Sequence, residues 1–487
     1  MRPFKAAAAA FGGLGFLLMA SVSSCSTRGD DCAANYTCAP EGGGKGVEDP
    51  PVVPLGCEAS PYDDGTVVRD ECGVFVSASS GDDNSQGTVG APVKTLARAL
   101  SLAGATVPRV YACAEMFEEA VEVPAGIAVY GGLDCAKGWA ATDSKTSIMA
   151  PSDQVPMKLL DGDKLTVVAG VKVHAQPATA PGGSSVAMIV GDVEAEITHS
   201  RLEASDAAPG VEGGSDTSKL KSAPSGQQGS GACTGLSLEA YPGDPGAQVC
   251  VGVTTTGGLG GTGGIPSGPD AQNGGDGAWG DKVGGKGGKA HLKDGLCPKE
   301  SRGEDGLNGE PGASGVGADI ADGEELLGIL SFESGYIGVA GTDGFRGNPG
   351  AGGGGGGARP AQLCGDGLEV GASGGGGGAG GCGGSPGKGG GGGGSSIALV
   401  HLGTKNIALM NVELWTGNGG KGGDGGKGGH GGAGAGGHSL GIASTIDLKI
   451  DPSVDIALGE PGAGGDSDDP IGTGAPGKAL SIGIFSN

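Results

Sequence analysis

The chain has 487 residues, among them 113 Gly and 28 Pro but only 3% aromatic residues. Side chains this small cannot fill an ordinary globular core along the whole chain, and each ordered Gly loses the most backbone entropy. The formal net charge of −25 repels nucleic acid and anionic lipid headgroups, so neither is an expected partner.

Residues 1–24 are typical of a secretion signal, because a basic start precedes the apolar run 6–20, which is too short for a comfortable membrane span. Small residues at 22–24 then stand directly before Cys25. This arrangement resembles the bacterial lipobox, which implies lipidation of Cys25. Because Ser26 and not Asp follows, it also implies an outer-membrane lipoprotein of a Gram-negative bacterium, facing the cell surface or the periplasm. The alternative is an ordinary signal cleaved nearby, with Cys25 as a disulfide partner.

Twelve Cys are consistent with an oxidising compartment. If Cys25 is lipidated, twelve less one leaves eleven, an odd number. Proximity along the sequence predicts the pairs Cys32–Cys38, Cys57–Cys72, Cys113–Cys135 and Cys233–Cys250. Cys297, Cys364 and Cys382 would then share one bridge and leave one free thiol, although sequence alone does not determine connectivity. Metal ligation is the weaker interpretation, since no paired CxxC spacing occurs.

Residues 25–71 are rich in Pro, Gly and Asp and show no helix or strand period, which predicts a tether held by local disulfides. Residues 72–206 differ, because short β-rich runs alternate there with Gly and Pro and favour an all-β solenoid, sandwich or barrel. These runs are 74–76, 110–113, 120–123, 127–130, 165–168, 171–173, 186–190 and 196–202. One helix is predicted after a Thr95 N-cap, with its apolar positions at helical spacing at Leu96, Ala99, Leu100 and Ala103.

A recurrence favours the solenoid. SSVAMIV at Ser184 is followed about a dozen residues on by ITHSRLEA, and SSIALVH at Ser395 is followed about a dozen residues on by IALMNVEL. One unit therefore occurs twice, as expected of coils that stack along one axis. The Gly-rich residues 207–394 would be an insertion between these two coils, and residues 395–416 would form the second one.

The run VFVSASSGDD…GT…APVKTLARAL…RVYACAEMFEEAVEVPAGIAVYGG resembles the N-terminal coil of pectin-lyase-like right-handed β-helix proteins. Together with YGGLDCAKGW and the poly-Gly blocks, it resembles the Gly-rich surface lipoproteins of Gram-negative bacteria. The resemblance covers residues 72–206 and, in part, 395–416. It implies an all-β, right-handed parallel β-helix with long Gly-rich insertions. It implies no activity, since this fold is found in adhesins and structural proteins as well as in lyases and hydrolases.

The insertion contains two collagen-like stretches that are far too short for a triple helix. Between them an apolar run is predicted to dock back on the solenoid, with Leu326, Leu327, Ile329, Leu330 and Phe332. Residues 417–439 follow the second coil and keep a strict GGX triplet over 419–433, which is the period of a threefold extended helix. This segment resembles the polyglycine-II bundles proposed for the Gly-rich domain of mycobacterial PE-PGRS proteins. Its outer face would carry Lys421, Asp424, Lys427 and His430.

A flexible, disordered Gly loop is the alternative for these segments. We expect order for 419–433, because the triplet register is kept, whereas both interpretations remain open for 352–394. Residues 440–487 are predicted to form the last β coils, with strands at 442–450, 454–458 and 479–485.

Candidate chemical groups are few, and no catalytic residue is predicted. The carboxylate pairs Asp63-Asp64, Asp82-Asp83 and Asp468-Asp469 lie in turns, where Asp is favoured for local hydrogen bonds, and not on a clustered face as glycosidases require. His174 and His199 are about one coil apart and would either stack as ligands or bases, or be two solvated side chains. Three tryptophans would form a sugar platform, although Trp139 beside Cys135 fits the core better; they are Trp139, Trp279 and Trp415.

Calcium is the one ion to consider. GGDGAWGDK at Gly274 and GGKGGDGGK at Gly419 supply Gly and Asp but lack the apolar anchor of calcium-binding GGxGxDxUx repeats. We therefore expect no dedicated metal site and no cofactor, apart from weak calcium binding by acidic loops.

The sequence as a whole predicts a non-enzymatic, lipid-anchored structural or adhesive protein that contacts polysaccharide or surface proteins. The main alternative is a carbohydrate-active β-helix lyase or hydrolase acting on acidic polysaccharide with calcium. A third possibility is a calcium-dependent interaction module. A clustered Asp, Lys and Arg face on consecutive coils would favour the enzyme.

Overall fold

Short strands dominate the computed structural model. It describes residues 53–105, 107–215, 222–233, 239–291, 314–319, 321–322, 325–364, 367–427 and 429–486. All of them belong to the second of the two units into which the chain divides, residues 51–487. No helix among the described residues has the length and apolar character needed to cross a membrane.

The strands before the insertion are β1 (Val74–Val76), β2 (Arg109–Cys113), β3 (Met116–Phe117), β4 (Val121–Val123), β5 (Ala128–Asp134), β6 (Ala140–Ala141), β7 (Thr146–Met149), β8 (Met157–Leu159), β9 (Gly162–Ala169), β10 (Val171–Ala175), β11 (Ser185–Val190), β12 (Val193–Thr198) and β13 (Arg201–Ala204). The helix α1 (Leu96–Ala105) lies between β1 and β2. Short 3-10 helices occupy Gly65–Val67, Asp70–Cys72, Cys135–Lys137 and Pro470–Gly472.

The insertion contains β14 (Ala247–Cys250), β15 (Val253–Thr256), β16 (Ala278–Trp279), β17 (Lys282–Val283), β18 (Ala321–Asp322), β19 (Glu325–Leu326), β20 (Ile329–Ser331), β21 (Gly335–Ile337), β22 (Gln362–Cys364) and β23 (Gly367–Glu369). The strands after it are β24 (Ser396–His401), β25 (Ile407–Met410), β26 (Glu413–Trp415), β27 (Ser439–Ser444), β28 (Asp455–Ala457) and β29 (Ala479–Ile484).

Three open parallel sheets form the body of the described structure. Sheet 1 has the order β1-β2-β5-β9-β12-β25, with β6 antiparallel to β5; sheet 2 has the order β28-β26-β13-β10-β7-β3; sheet 3 has the order β29-β27-β24-β11-β8-β4. From β2 to β27, apart from β6 and the insertion strands β14–β23, successive strands fall in sheets 1, 2 and 3 in turn. The predicted all-β class is confirmed, and its large sheets are parallel.

The two copies of the recurring unit are direct neighbours. β11 pairs in parallel with β24, placing Ser185 opposite Ser396, and the following strands pair likewise, β12 with β25 and β13 with β26. The predicted adjacency of the two copies is confirmed. The register places Ile197 opposite Leu409, two residues beyond the Ile407 at which the second sequence segment begins.

The main apolar core collects the inward side chains of all three sheets, represented by Ile197 in sheet 1, Leu202 in sheet 2 and Met188 in sheet 3. Helix α1 packs against β1, β2 and β4 at one end of the sheets. Its four predicted apolar positions are all buried in this core, and the predicted Thr95 cap accepts a hydrogen bond from Arg98 N at 3.2 Å. The helix prediction is therefore confirmed.

At the other end of the sheets, one predicted strand is shorter than expected. β27 ends at Ser444, whereas the prediction extended to residue 450. Ile446, Leu448 and Ile450 instead pack on the main core without a ladder partner, between β27 and β28. Alternation of apolar and polar residues indicates that one side of a segment is buried. A segment that covers the core has one buried side even when it does not pair with a strand. The strands predicted at 454–458 and 479–485 are present as β28 and β29.

The Gly-rich segments are extended and hydrogen-bonded at every third residue. In one row each N–H donates to the carbonyl of the preceding member at 2.8–3.0 Å, through Ala208, Gly394, Gly420, Gly437, Gly462 and Gly477. A second row is offset from the first by three residues in every segment, towards higher and lower numbers in turn because the segments are antiparallel. It runs through Val211, Gly391, Gly423, Gly434, Gly465 and Gly474. These antiparallel segments all belong to connections between sheet 2 and sheet 3.

Residues 419–426 bond to more neighbours than a strand in a flat sheet has. Their backbone groups pair with residues 388–394, 431–437, 208–213 and 460–466. The intervening glycines are mostly buried, whereas the predicted outward residues Lys421, Asp424, Lys427 and His430 are exposed or partly exposed. The expected order of this segment is therefore confirmed for its described residues. The open question for 352–394 is also answered, since residues 352–359 and 371–378 take part in the same kind of pairing.

Candidate functional site

The three sheets differ in how far their outward faces are covered. In sheet 3, the strands β11, β24 and β27 are buried at every position. In sheet 1, β1 and β2 are also buried at every position. In sheet 2, β10 and β13 alternate between buried and partly exposed residues. A strand that is buried on only one face shows this alternation, so the outward face of sheet 2 is in contact with solvent.

The outward face of sheet 1 is covered at β1, β2 and β5 by the segment that precedes β1 and by Trp139, whereas β12 still exposes Glu194. Phe75, Tyr111 and Trp139 are packed together there, with Trp139 edge-on to Phe75 at 4.8 Å between ring centroids. The Tyr111 hydroxyl donates to Val67 O at 2.9 Å, and the Arg109 guanidinium donates to Ala59 O at 2.6 Å. Trp139 is therefore a core residue here, as the sequence favoured.

The outward face of sheet 3 is covered by part of the insertion. Leu326, Leu330 and Tyr336 pack there with Phe485 against sheet residues such as Val400. The predicted docking of the apolar run is confirmed for Leu326, Leu330 and Phe332, through the β20–β21 hairpin and β19, whereas Ile329 is 62% exposed.

The outward face of sheet 2 carries a ladder of charged side chains on consecutive strands. The strand register aligns Ser147, Lys172, Arg201, Glu413 and Asp455 in one row. The neighbouring row is Met149, His174, Glu203, Trp415 and Ala457. We call Lys172, His174, Arg201, Glu203, Glu413 and Trp415 the sheet 2 ladder.

Glu203 is the centre of one half of the ladder. Its carboxylate oxygens lie 2.8 Å from Lys172 Nζ and 3.3 Å from His174 Nδ1. Burial raises the pKa of Glu203, but the hydrogen bond and charge of Lys172, with His174 and Arg201, outweigh burial and lower its pKa below the ordinary value. The carboxylate is therefore ionised near neutral pH.

Arg201 is the centre of the other half. Its Nε donates to Glu413 Oε2 at 2.7 Å, and its Nη2 contacts the same oxygen. The guanidinium carbon lies 3.9 Å from the centroid of the Trp415 ring, a cation–π contact of the kind that Arg forms with Trp. Arg201 on β13 therefore holds the Glu413 carboxylate and the Trp415 indole in fixed positions, both on the adjacent strand β26.

Comparisons with protein-family models, with curated proteins and with solved structures find no match to this chain. The chemistry of the ladder must therefore be argued from its own residues. A general acid must hold a proton at the working pH, and the lowered pKa of Glu203 removes it from that role. The charges of Lys172, Arg201, Glu203 and Glu413 are compensated by one another, which is suited to non-covalent recognition of a polar surface.

Among the predicted disulfides, Cys57–Cys72 and Cys113–Cys135 are present. The predicted pair Cys233–Cys250 is wrong, because Cys233 bonds to Cys364 and Cys250 bonds to Cys382. The hypothesis that Cys364 and Cys382 share one bridge with Cys297 is wrong for the same reason. Hydrogen-bonded Gly-rich segments bring residues together that are 131 and 132 positions apart, which sequence proximity cannot predict. Four predicted cysteines lie outside the described residues: the lipidation residue Cys25, the pair Cys32 and Cys38, and Cys297.

The predicted carboxylate pairs occupy turns. Asp83 accepts hydrogen bonds from Lys94 N and Thr95 N at 2.9 Å, which fixes the approach to α1. Asp64 and Asp469 each accept a backbone N–H at the start of a 3-10 helix. These bonds support the structural interpretation of the pairs. The Asp residues of the calcium-like segments also have protein partners, since Asp276 accepts from Gly287 N and Asp424 from Asp466 N.

His174 and His199 do not stack on neighbouring strands. The register partner of His174 is Glu203, whereas His199 lies at the corner between β12 and β13 with φ of +49°. Asn411 occupies the same corner one circuit later, with φ of +53°. His and Asn tolerate this left-handed conformation better than most residues, so His199 serves the turn, and its ring stacks on Tyr62. The predicted strand at 196–202 is broken at this corner.

One group of three possible metal ligands occurs among the described residues, formed by Cys233, Cys364 and Glu369. The disulfide uses both sulfur atoms, so no thiolate is available and this group does not fit a metal ion.

The sequence did not single out four members of the ladder, namely Lys172, Arg201, Glu203 and Glu413. A signal existed in the alternation of charged and apolar residues in VKVHA and RLEA. The pairing of Arg201 with Glu413 could have been found only by shifting the match between the two recurring units by two residues.

Proposed function

We propose that the protein is a non-catalytic, lipid-anchored scaffold outside the cytoplasm, which contacts extracellular polysaccharide through the sheet 2 ladder. Its body would be a right-handed parallel β-helix that carries a polyglycine-II bundle. The observation on which this rests is the outward face of sheet 2, where solvent-accessible charged side chains and Trp415 follow consecutive strands.

Support for the β-helix comes from the order of the strands. The chain visits the three sheets in turn, and each strand pairs in parallel with the next circuit. Crossover connections between parallel strands are almost always right-handed, which gives the proposed hand.

Support for polyglycine-II comes from hydrogen bonding at every third residue in more than two directions. A threefold helix presents its backbone groups on three sides, whereas a β-strand presents them on two. Glycine is needed wherever neighbouring backbones approach closely. A Cβ on Gly355, for example, would lie 2.1 Å from Leu259 O.

Support for the location comes from the sequence: the apolar start, the lipobox-like residues before Cys25 and the Pro- and Gly-rich tether. Four disulfides in the described residues suit an oxidising compartment. Cys25 would carry the lipid in the outer membrane.

The ladder favours polysaccharide over a protein partner for a chemical reason. An extended strip of paired charges with one indole offers hydrogen-bond donors and acceptors beside an aromatic surface, without the large apolar area that obligate protein interfaces bury. Sugar rings present hydroxyl groups and apolar C–H faces together, and both can be satisfied along this strip.

The location is tested by protease accessibility on intact cells, for the wild type and Cys25→Ala, with an antibody to the Gly-rich insertion. We expect protease to remove the wild type from the cell surface and the variant to be absent from the envelope fraction. Full protection of an intact wild-type protein in the envelope would exclude the surface-exposed scaffold.

The binding surface is tested with the purified protein and polysaccharide extracted from the same cells, by mobility in native gels that contain the polymer. Arg201→Ala and Trp415→Ala should each weaken retardation about tenfold. Lys137→Ala is the matched control, because Lys137 forms an exposed ion pair with Asp134 at 2.9 Å away from sheet 2. Equal retardation of the wild type and the three variants would contradict the proposed surface. Retardation in gels that contain a protein fraction of the same cells, but not in gels that contain the polysaccharide, would favour a protein partner.

A carbohydrate-active enzyme is the second candidate, because Lys172, Arg201, Glu413 and Asp455 cluster on consecutive strands. Such a face could hold an acidic polysaccharide through a bridging calcium ion. Incubation with acidic polysaccharides and calcium, followed by chromatography of the products, tests it. Chain shortening that Lys172→Ala abolishes would establish the enzyme, and unchanged chain length would leave the scaffold.

A further inference from the structure

The Gly-rich insertion contains a cavity of about 240 Å³ beside the Cys250–Cys382 disulfide. It lies among the turn between β14 and β15, the strand β16 and residues 346–349. Its apolar lining comprises Val251, Val253, Trp279 and Pro349, and Arg346 lies at its edge. This volume is smaller than that of a typical drug-sized pocket, so a ligand would be a small molecule.

The walls of this cavity are fixed by covalent and backbone bonds. The disulfide joins β14 to the segment around Cys382. Gly347 N donates to Gly384 O at 3.0 Å and Gly350 N donates to Gly381 O at 2.8 Å, which hold residues 347–350 against that segment. A site fixed in this way loses little conformational entropy when a ligand binds.

Two cations lie beside the apolar lining. Lys282 Nζ is 4.3 Å from the centroid of the Trp279 ring. The Arg346 side chain is exposed, and neither cation forms an ion pair with another described residue. In a chain of net charge −25, two cations that no described carboxylate neutralises favour an anion at this apolar cavity.

We propose that this cavity binds a small organic acid with an apolar body. The apolar body would occupy the space lined by Trp279, Val253 and Pro349, and the carboxylate would pair with the Arg346 guanidinium, whose planar donors match a carboxylate. Lys282, from its position over the Trp279 indole ring, would add positive charge to the site. The site is distinct from the sheet 2 ladder and does not depend on the function proposed for it.

The test uses the full chain and two probes of nearly equal shape, phenylacetate and phenylacetamide, which differ in charge. Calorimetric titration should give saturable binding of phenylacetate and at least tenfold weaker binding of phenylacetamide. Acetate, which has the carboxylate without the apolar body, should also bind at least tenfold more weakly.

Three variants assign the binding to this cavity. Arg346→Gln and Trp279→Leu should each weaken phenylacetate binding about tenfold, with the circular dichroism spectrum unchanged. Lys158→Gln is the control, because Lys158 Nζ also lies over an aromatic ring, that of Phe332 at 5.2 Å, in a different groove. Equal affinity for phenylacetate and phenylacetamide, or unchanged affinity in Arg346→Gln, would overturn the proposal. Absence of saturable binding by the wild type would overturn it as well.

Discussion

Ser185 and Ser396 are neighbours in sheet 3, although the entire Gly-rich insertion separates them in the chain. Ser185 N donates to Ser395 O at 3.0 Å, and Ser395 N donates to Ser184 Oγ at 3.0 Å. The backbone leaves the sheets after Ala204 and returns to them at Ser396, and Gly394 N donates to Ala208 O at 3.0 Å between these two points. The three-sheet core is therefore continuous across the insertion.

The first prediction concerns this continuity. Lys388 N donates to Gly214 O at 3.0 Å, so residues 216–385 can be replaced by an Asn-Gly turn. We expect the variant to keep its parallel sheets, because every pair among β1–β13 and β24–β29 remains. It should also bind a hydrophobic dye, because Leu326, Leu330 and Tyr336 no longer cover sheet 3. Its free energy of unfolding should fall by about 2 kcal/mol for each buried side chain that is lost or becomes exposed. Circular dichroism and dye fluorescence measure both effects; an unfolded spectrum would show that the sheets need the insertion.

The second prediction concerns adjacent glycines in the bundle. A Cβ on Gly355 would lie 2.1 Å from Leu259 O, whereas a Cβ on Gly356 would have its nearest neighbour at 3.5 Å. Gly355→Ala should therefore lower the free energy of unfolding by about 1–3 kcal/mol, as overpacking does, and Gly356→Ala should be nearly neutral. Thermal unfolding of the two variants compares them directly. Equal stability would mean that the two backbones do not approach each other at Gly355.

The third prediction concerns the disulfides of the insertion. Peptide mapping without reduction should recover Cys233 with Cys364 and Cys250 with Cys382. A Cys250→Ser, Cys382→Ser double variant should lose about 4 kcal/mol of stability, because with Cys233–Cys364 intact its bridge closes a loop of about 35 residues in the unfolded chain, 17 from Cys233 to Cys250 and 18 from Cys364 to Cys382. The Cys233–Cys364 peptide should persist in that variant. Recovery of a Cys233–Cys250 peptide from the wild type would contradict this connectivity.

The fourth prediction concerns His438, a buried residue whose Nδ1 accepts from Lys478 N at 3.1 Å and whose ring contacts Tyr336 and Phe485. Burial and the nearby charge of Lys478 lower the pKa of His438 from 6.5 to about 4. The folded state therefore binds this proton less readily than the unfolded chain does. Its contribution to stability is complete above pH 6.5 and is lost as the pH falls towards 4, by about 3 kcal/mol in total.

Urea unfolding at a series of pH values measures this effect. His438→Asn keeps an acceptor for Lys478 N and removes the titration, so the variant should lose less stability than the wild type between pH 6.5 and 4. Burial also lowers the pKa of His401, which remains in both proteins and therefore cancels in the comparison. Identical pH profiles would show that His438 is not buried as a neutral side chain.

Several elements of the fold could be predicted from local sequence. The helix after Thr95 follows from its cap and its apolar spacing, which need no distant contact. The adjacency of the recurring units at Ser184 and Ser395 follows from the similarity of their sequences, because like coils pack on like coils. The docking of the run around Leu330 follows from its apolar character, since so many exposed apolar side chains would be unfavourable in water.

Other features depended on which strands become neighbours. Arg201 and Glu413 form an ion pair because β13 and β26 share a register, and nothing near either residue in the chain specifies that register. The same holds for Cys250 and Cys382, which are joined across packed Gly-rich segments. The cavity beside Trp279 is likewise formed from four segments, which are residues 250–253, Trp279, 346–349 and 382–383.

The sequence by itself determined the all-β class, the position of α1, the recurrence of the β unit and the three-residue period of the Gly-rich segments, because each can be seen in the order of residues along the chain. Only the tertiary structure decided which sheet face contacts solvent, which cysteines pair and where charges such as Lys172 and Glu203 meet. Those features depend on the register between segments, and that register is set by the packing of the whole chain and not by any one stretch of it.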